Sequence, residues 1–255
     1  MIAAGRYSDA YMVNWKSNVF PGILGRTCDR PCEPACRRGR VEEAQQAKPE
    51  PVAICRLKRV TADYKDGDEI RKRIAAGKKT KSNGRKIVCI GAGPASLTVA
   101  RDLAPLGYDV TIFDQDPRAG GMIWSQIPRF RLPLEVIDEE VNYILDLGVS
   151  FKQRRITSMK EVMAEGYDAI FVGSGAPRGR DLDIPGRKEG AKNIHIGIDW
   201  LSSVSFGHTT KIGKRVIVLG GGNTAMDCCR TSKRIGGEDV KVIVRSGFDE
   251  MKASP

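Results

Sequence analysis

The chain has 255 residues and a formal net charge of +11, with 41% hydrophobic and 29% charged residues. This composition is typical of a globular protein with one large or two small domains. No apolar run approaches the roughly 20 residues of a membrane-spanning helix, and the N-terminus lacks the long apolar segment of a secretory signal. We therefore expect no membrane span and a cytoplasmic location.

A group of closely spaced cysteines near the N-terminus consists of Cys28, Cys32, Cys36 and Cys55. Pro31 and Pro34 interrupt the first three, so we expect a loop there rather than a helix. Thiols grouped this closely in a reducing compartment favour metal binding over disulfides. The flanking arginines suit an anionic iron–sulfur cluster. Zinc, whose sites usually pair cysteines in tighter knuckles, and unligated thiols are the alternatives.

A basic run from Arg71 to Lys86 supplies much of the net charge. It has no interleaved aromatic residues and no nucleic-acid-binding motif, so we expect no nucleic-acid partner. We interpret the run as a solvated, flexible hinge between an N-terminal module and the unit that follows. Its charge can also attract an acidic protein partner or an anionic cofactor.

A glycine fingerprint follows the predicted strand Ile87 to Ile90 and opens a predicted helix. Such a turn places backbone N–H groups and the positive end of a helix against a pyrophosphate. The next predicted strand, Asp109 to Phe113, ends in an acid 18 residues after Ser96, near the spacing of a ribose-binding carboxylate. A glycine turn without a ligand is the alternative. The predicted dinucleotide-binding residues are Gly91, Ala92, Gly93, Pro94, Ala95, Ser96 and Asp114.

Further turns and elements fill the segment between residues 115 and 210. Gly120 and Gly121 form a glycine-rich turn, and Pro133 to Leu147 has the apolar spacing of an amphipathic helix. Ser150 to Arg154 and Ala169 to Val172 are predicted strands. The turn after them, at Gly175, lets the backbone approach a cofactor.

A second glycine fingerprint follows the predicted strand Val216 to Leu219. Its residues are Gly220, Gly221, Gly222, Asn223 and Thr224. The next predicted strand, Val240 to Val244, is followed by Arg245 rather than an acid, which favours NADP slightly over NAD; a surface arginine without this role is the alternative. Two fingerprints in one chain indicate two dinucleotides, usually a flavin and a nicotinamide. No side chain is predicted to act as a catalytic acid or base.

The order of these features resembles the small (beta) subunit of glutamate synthase and its relatives, which include the N-terminal part of dihydropyrimidine dehydrogenase. The motifs that carry the resemblance are, in chain order, the cysteine group, the first fingerprint, Gly120-Gly121, Ile127-Pro128-x-x-Arg131-Leu132-Pro133, Gly175, Ile184-Pro185-Gly186, the second fingerprint extended to Asp227, and Glu250-Met251. The resemblance implies an α/β fold with two Rossmann-like units preceded by a small helical iron–sulfur module. The implied domains are residues 1–75 for that module, 84–200 for FAD and 211–255 for NAD(P).

The resemblance also implies a function and a set of contacts. Family members pass a hydride between NAD(P)H and FAD, and single electrons through iron–sulfur centres. FAD is implied on the first fingerprint, Asp114, Gly120, Gly121, Ile127, Pro128 and Gly175. NAD(P) is implied on the second fingerprint with Arg245, and a 4Fe-4S cluster on the four cysteines.

The expected partner is a catalytic large subunit or an acidic electron-transfer protein. An input subunit of a molybdenum or tungsten oxidoreductase is an alternative within the same class. Relatives carry cysteines upstream of this group and return to the FAD domain after the NAD(P) domain. We therefore expect the chain to be a fragment, or a natural piece that another chain completes. A non-catalytic dinucleotide-binding piece and a zinc-stabilised interaction module are the alternatives from other classes.

Overall fold

A computed structural model describes residues 1–42, 50–77 and 81–253 of the chain. Five helices come first. They are α1 (Tyr7–Ser17), α2 (Pro21–Thr27), α3 (Arg37–Glu42), α4 (Ile54–Tyr64) and α5 (Gly67–Ala76). An alternating series of strands and helices follows them. It comprises β1 (Lys86–Ile90), α6 (Pro94–Leu103), β2 (Asp109–Asp114), α7 (Met122–Ser125), α8 (Leu134–Leu145), β3 (Ser150–Gln153), α9 (Met159–Ala164), β4 (Ala169–Val172), α10 (Gly197–Ser205), β5 (Arg215–Leu219), α11 (Asn223–Arg234) and β6 (Asp239–Ile243).

The N-terminal helices are held by aromatic and aliphatic side chains one helical turn apart. On α1, Tyr11 and Trp15 are buried, and the Trp15 ring packs edge-on against Tyr143 of α8 with ring centroids 6.2 Å apart. On α5, Ile70 and Ile74 are buried in the same spacing. The two residues of each pair are four positions apart, so their side chains lie on the same face of the helix, and that face packs on the core.

The first sheet is parallel, with strand order β3-β2-β1-β4. The chain passes from β1 to β2 on one side and later to β4 on the other, so a crevice opens at the carboxyl ends of β1 and β4. Within β1, Val88 and Cys89 are fully buried. The second sheet, within the described residues, pairs β5 with β6 in parallel, and α11 connects them. Near it, Trp200 and Leu201 of α10 pack with Cys228 of α11.

The α/β class predicted from the sequence is confirmed by these parallel sheets, and the predicted strands lie within one residue of the observed ones.

The interpretation of the whole basic run as a hinge is wrong at its start, because Arg71 to Arg73 belong to α5 and burial of Ile70 and Ile74 holds that helix on the core. Residues 78–80 of the run lie outside the described residues, as do residues 43–49 and 254–255 of the predicted domains. The predicted domain limits stay predictions. No helix in the described ranges has the length and apolarity to cross a bilayer.

A buried carboxylate joins the N-terminal helices to the first sheet unit. Glu140 of α8 is 0% exposed, and it accepts hydrogen bonds from the Tyr11 hydroxyl at 2.8 Å and the Gly22 N–H at 2.7 Å. A third bond comes from the Ile23 N–H at 3.0 Å. Burial raises the pKa of the Glu140 carboxyl from 4.5 to about 7, although the three hydrogen bonds favour the ionised form.

This carboxyl makes stability depend on pH. The folded chain holds the Glu140 proton up to about pH 7 and the unfolded chain releases it near 4.5, so the free energy of unfolding falls as pH rises between these values. Glu140→Gln cannot ionise, and we expect its pH profile to be flatter over this window. Urea denaturation at several pH values within it measures the difference. Identical slopes for the two proteins would contradict this assignment.

Candidate functional site

The first fingerprint forms a turn that glycine alone can make at its first position. Gly91 has φ +93°, and a Cβ there would lie 2.5 Å from the carbonyl oxygen of Gly173. The next N–H, of Ala92, donates to Asp114 Oδ2 at 2.5 Å, and Asp116 N–H donates to the other carboxylate oxygen at 2.9 Å. The carboxylate predicted to bind a ribose is therefore fixed beside the turn.

Gly93 differs from Gly91, because nothing in the fold requires glycine there. Its φ is −78°, which any residue adopts, and a Cβ would meet no atom within 4 Å. Gly93 begins α6, so free backbone N–H groups and the positive helix end face this open space. The turn at Gly120 and Gly121 abuts it, since a Cβ on Gly121 would lie 2.7 Å from Gly93 Cα.

The second fingerprint repeats this arrangement. Gly220 has φ +121°, and Gly222 has open space where a Cβ would stand. Gly222 precedes α11 with φ −96°, so it too is free of any backbone need for glycine. Asn223 and Thr224 begin α11. Arg245 follows β6 and is exposed, as is Gly175 after β4.

A cleft of about 650 Å³ lies between the two fingerprint helices and the N-terminal helices. Pro94, Ala95 and Ile127 line it from the first unit, and Asn223 and Thr224 from the second. These five predicted site residues are brought together. The other predicted dinucleotide-binding residues and the four cysteines are not among the described residues that line the cleft. These dinucleotide-binding residues are Gly91, Ala92, Gly93, Ser96, Asp114, Gly120, Gly121, Pro128, Gly175, Gly220, Gly221, Gly222 and Arg245.

An ion pair that the sequence did not single out crosses this cleft. Arg131, before α8, and Asp227, on α11, both line it. Arg131 Nη1 lies 2.5 Å from Asp227 Oδ2, with side-chain exposures of 22% and 7%. The other Asp227 oxygen, Oδ1, is buried and has no hydrogen-bond partner among the described residues. The pair spans 96 positions in the chain, and both residues occur in the motifs of the resemblance, which was the available signal.

The cysteine group lies in the loop after α2 and at the start of α4. Cys55 is buried. Its pKa is raised by burial first and then by a hydrogen bond with the Cys28 thiol, and Cys32 also acts on it electrostatically. The pKa of Cys36 shifts in the opposite direction. Backbone N–H groups lower it, and that of Val52 has the largest effect.

The loop prediction for the first three cysteines agrees with the fold, where Cys28 and Cys36 flank a series of turns. Across the described residues, no three acidic, histidine or cysteine side chains are close enough to hold one metal ion. The Arg30 N–H lies 3.4 Å from Cys28 Sγ, a donor of the kind that iron–sulfur sulfurs receive.

The cysteine loop contacts the second fingerprint directly. Asn223 Nδ2 donates to Asp29 Oδ1 at 3.1 Å, and Asp29 is the residue after Cys28. Asp29 also lines the cleft. The cysteine loop and the two fingerprint helices therefore meet at one place.

Comparison with family models decides the family. Residues 85–248 match the model described as pyridine nucleotide-disulphide oxidoreductase. The chain belongs to this family. Residues 1–70 of this oxidoreductase match a second model, described as dihydropyrimidine dehydrogenase domain II, 4Fe-4S cluster. The predicted resemblance and the predicted pairing of dinucleotide units with an iron–sulfur module are confirmed by these two matches.

Curated relatives agree with both matches. The chain is 35% identical to the beta subunit of an NADP(+)-dependent formate dehydrogenase of Moorella thermoacetica, over 99% of the chain and 38% of that protein. It is 35% identical to the beta subunit of an NADPH-Fe(3+) oxidoreductase of Geobacter sulfurreducens, over 97% and 36%. A glutamate synthase [NADPH] small chain of Azospirillum brasilense is 33% identical, over 100% and 54%. The chain therefore spans about a third to a half of the length of these relatives.

Gly91 and Gly93 are expected to tolerate alanine very differently. Gly91→Ala forces a side chain into the left-handed region and against the Gly173 carbonyl, at a cost of about 1–2 kcal/mol from backbone strain alone. Gly93→Ala meets neither obstacle, so we expect stability within about 0.5 kcal/mol of the wild type. Urea denaturation of the cofactor-free chain measures both. Equal losses in the two variants would contradict the geometry.

Proposed function

We propose that this chain is the electron-transfer part of a FAD-dependent NAD(P)H oxidoreductase that resembles the small subunit of glutamate synthase. A single observation carries the proposal: the first residues of both fingerprint helices and Asp29 of the cysteine loop line one cleft. When bound there, FAD supplies the exchange between a two-electron hydride and single electrons. The protein's part is to bind and orient the two dinucleotides beside the cysteines.

The first fingerprint is proposed to hold FAD. Open space at Gly93 lets a pyrophosphate approach the start of α6, where the N–H groups and helix dipole favour an anion. Asp114 is held by two backbone N–H groups, which keeps its carboxylate aimed as the ribose site requires. The turn at Gly120–Gly121 abuts Gly93, and Ile127 lines the cleft.

The second fingerprint is proposed to hold NAD(P). Gly222 gives the same open approach at α11, with Asn223 and Thr224 as donors. Arg245 is proposed to bind the 2′-phosphate of NADP, and the proposed dinucleotide is therefore NADP rather than NAD. The relatives named for NADP or NADPH support this choice.

Asp227 is proposed to orient the nicotinamide end of the dinucleotide. Its buried Oδ1 has no partner within the described residues, and a carboxamide N–H is the donor that such a carboxylate oxygen needs. Asp227→Asn loses this acceptor charge and leaves Arg131 half-buried without its ion pair. We expect about tenfold slower flavin bleaching by NADPH at unchanged FAD content. Asp239→Asn, at an exposed carboxylate on β6, is the control, and an equal effect in both would overturn the role.

The four cysteines are proposed to hold a 4Fe-4S cluster. Cys28 and Cys32 both act on the buried Cys55 thiol, and the Arg30 N–H lies 3.4 Å from Cys28 Sγ. The match of residues 1–70 to the model described by its 4Fe-4S cluster supports iron–sulfur over zinc.

The proposed partner is a catalytic large subunit or an acidic electron-transfer protein. The relatives are named as beta subunits or a small chain, and the net charge of +11 favours an acidic surface opposite. The relative named for formate dehydrogenase favours a second candidate: the input subunit of a molybdenum or tungsten oxidoreductase. The proposed location is the cytoplasm.

An anaerobic visible spectrum with iron, zinc and flavin quantified on the same sample tests the proposal. Flavin bands over a broad iron–sulfur absorbance, bleached by NADPH, are the expected result. Zinc in place of iron would overturn the cluster and favour an interaction module. Iron without flavin would point to a piece that does not close a flavin site.

Alanine at the two open glycines separates the two dinucleotide sites. Gly93→Ala places a methyl group where the FAD pyrophosphate is proposed to lie, so we expect loss of bound flavin. Gly222→Ala is expected to retain FAD and to lose most of its NADPH-driven flavin bleaching. Flavin content and anaerobic bleaching rates measure both effects.

Gly213→Ala, outside both cradles and without close contacts, is the control for these two variants. If Gly222→Ala loses flavin and keeps its affinity for NADPH, the assignment is wrong, and the second fingerprint rather than the first binds FAD.

A further inference from the structure

Helix α2 connects the cleft, the cysteine loop and the first sheet unit. It begins at Pro21 and ends at Thr27, and Cys28 follows it directly. Phe20, Ile23 and Leu24 line the cleft from this segment. A shift of α2 therefore moves a proposed cluster thiol and one wall of the proposed flavin site together.

The beginning of α2 is bound by Glu140. Its two carboxylate oxygens accept the Gly22 N–H at 2.7 Å and the Ile23 N–H at 3.0 Å. These are free donors at a helix start, and the buried carboxyl oxygens of Glu140 satisfy them. The Tyr11 hydroxyl donates to the same carboxylate at 2.8 Å, so α1 is bound at the same point.

Close packing then transmits this anchor along the helix. A Cβ on Gly22 would lie 3.1 Å from Glu140 Oε1 and 3.2 Å from Ala62 Cβ. A Cβ on Gly25 would lie 2.8 Å from the Arg59 backbone nitrogen. Helix α2 is therefore pressed between α8 and α4, and α4 carries Cys55. Arg26 Nη2 also lies 2.5 Å from Asp63 Oδ1 on α4. Close contacts therefore connect Glu140 to α2, which Cys28 follows, and α2 to α4, which carries Cys55.

We propose that Glu140 is a positioning residue for electron transfer: by anchoring α2 on the flavin unit, it fixes the distance from the cleft to Cys28 and the cluster. This inference rests on the proposed function. Glu140 touches neither cofactor site nor cysteine in the described structure, and it acts through α2.

The test compares two rates in the anaerobically loaded full chain. Glu140→Leu removes the acceptor for three buried donors and is expected to slow iron–sulfur bleaching about tenfold, since small misplacements carry such factors. Flavin bleaching by NADPH is expected to slow less than the iron–sulfur step, because α2 forms one wall of the cleft while neither fingerprint contacts Glu140. Glu140→Gln retains one acceptor oxygen and is expected to restore much of the rate. The control is Glu135→Leu, at an exposed position on the same helix.

The outcomes separate this inference from the proposed function. A Glu140→Leu protein with full iron and flavin content that transfers electrons at the wild-type rate would overturn the positioning role. Equal slowing of both rates would also overturn it, because a general structural defect has that signature. If Glu140→Leu does not fold, Tyr11→Phe removes only one of the three donors and is expected to slow the iron–sulfur step alone, to a smaller extent; no change there would count against the role. Wild-type chain that loads neither iron nor flavin contradicts the proposed function itself.

Discussion

Backbone approach at glycine is the constraint on which the rest of this structure depends. At Gly91 the chain lies so close to Gly173 that a Cβ would stand 2.5 Å from a carbonyl oxygen, and at Gly25 of α2 a Cβ would stand 2.8 Å from the Arg59 nitrogen of α4. The first approach brings the carboxyl ends of β1 and β4 together, so that a crevice forms beside α6. The second holds α2, which Cys28 follows, against α4, which carries Cys55. Larger side chains at either point would push apart the elements that border the cleft.

Charge is arranged around this backbone frame. The open positions at Gly93 and Gly222 face helix starts, which attract anions, and the whole chain is basic. The acids near the cleft are each engaged: Asp114 by backbone N–H groups, Asp227 by Arg131 and Glu140 by three donors. The proposed dinucleotides would therefore meet little unpaired negative charge at these three acids, of which Asp114 and Asp227 are the ones proposed to orient a ribose and a carboxamide.

Local signals in the sequence predicted the strands and both fingerprints well, because apolar runs and glycine turns depend on neighbours in the chain. Long-range pairs could not be predicted in this way. Arg131 and Asp227 are 96 residues apart, and nothing local indicates that they meet. Glu140 carried a signal that sequence reasoning passed over: it lies three residues after Ile137 and four before Ile144, on the buried stripe of α8. An acid in that stripe needs buried donors, but a sequence does not show which.

The cysteines also show that local spacing predicts a loop but not which residues meet across the fold. Their spacing predicted a loop, and Cys28 to Cys36 do flank a series of turns. The placement of Cys55 opposite Cys28 depends on the packing of α2 on α4 through Gly25, which no spacing rule contains. The sequence reasoning also missed that α5 extends into the basic run. The high charge of the run indicated a solvated segment, but burial of Ile70 and Ile74 holds this part of the chain in a helix on the core.

The function proposed for this chain requires both dinucleotides and the cysteines to lie close together in one molecule. Single-turnover bleaching after anaerobic mixing with NADPH tests this requirement most directly when it is repeated over a range of protein concentrations. Flavin is expected to bleach first, and iron–sulfur absorbance is expected to follow at a rate independent of protein concentration, as transfer within one molecule requires. A second rate that rises in proportion to protein concentration would overturn this arrangement, because the electrons would then pass between molecules.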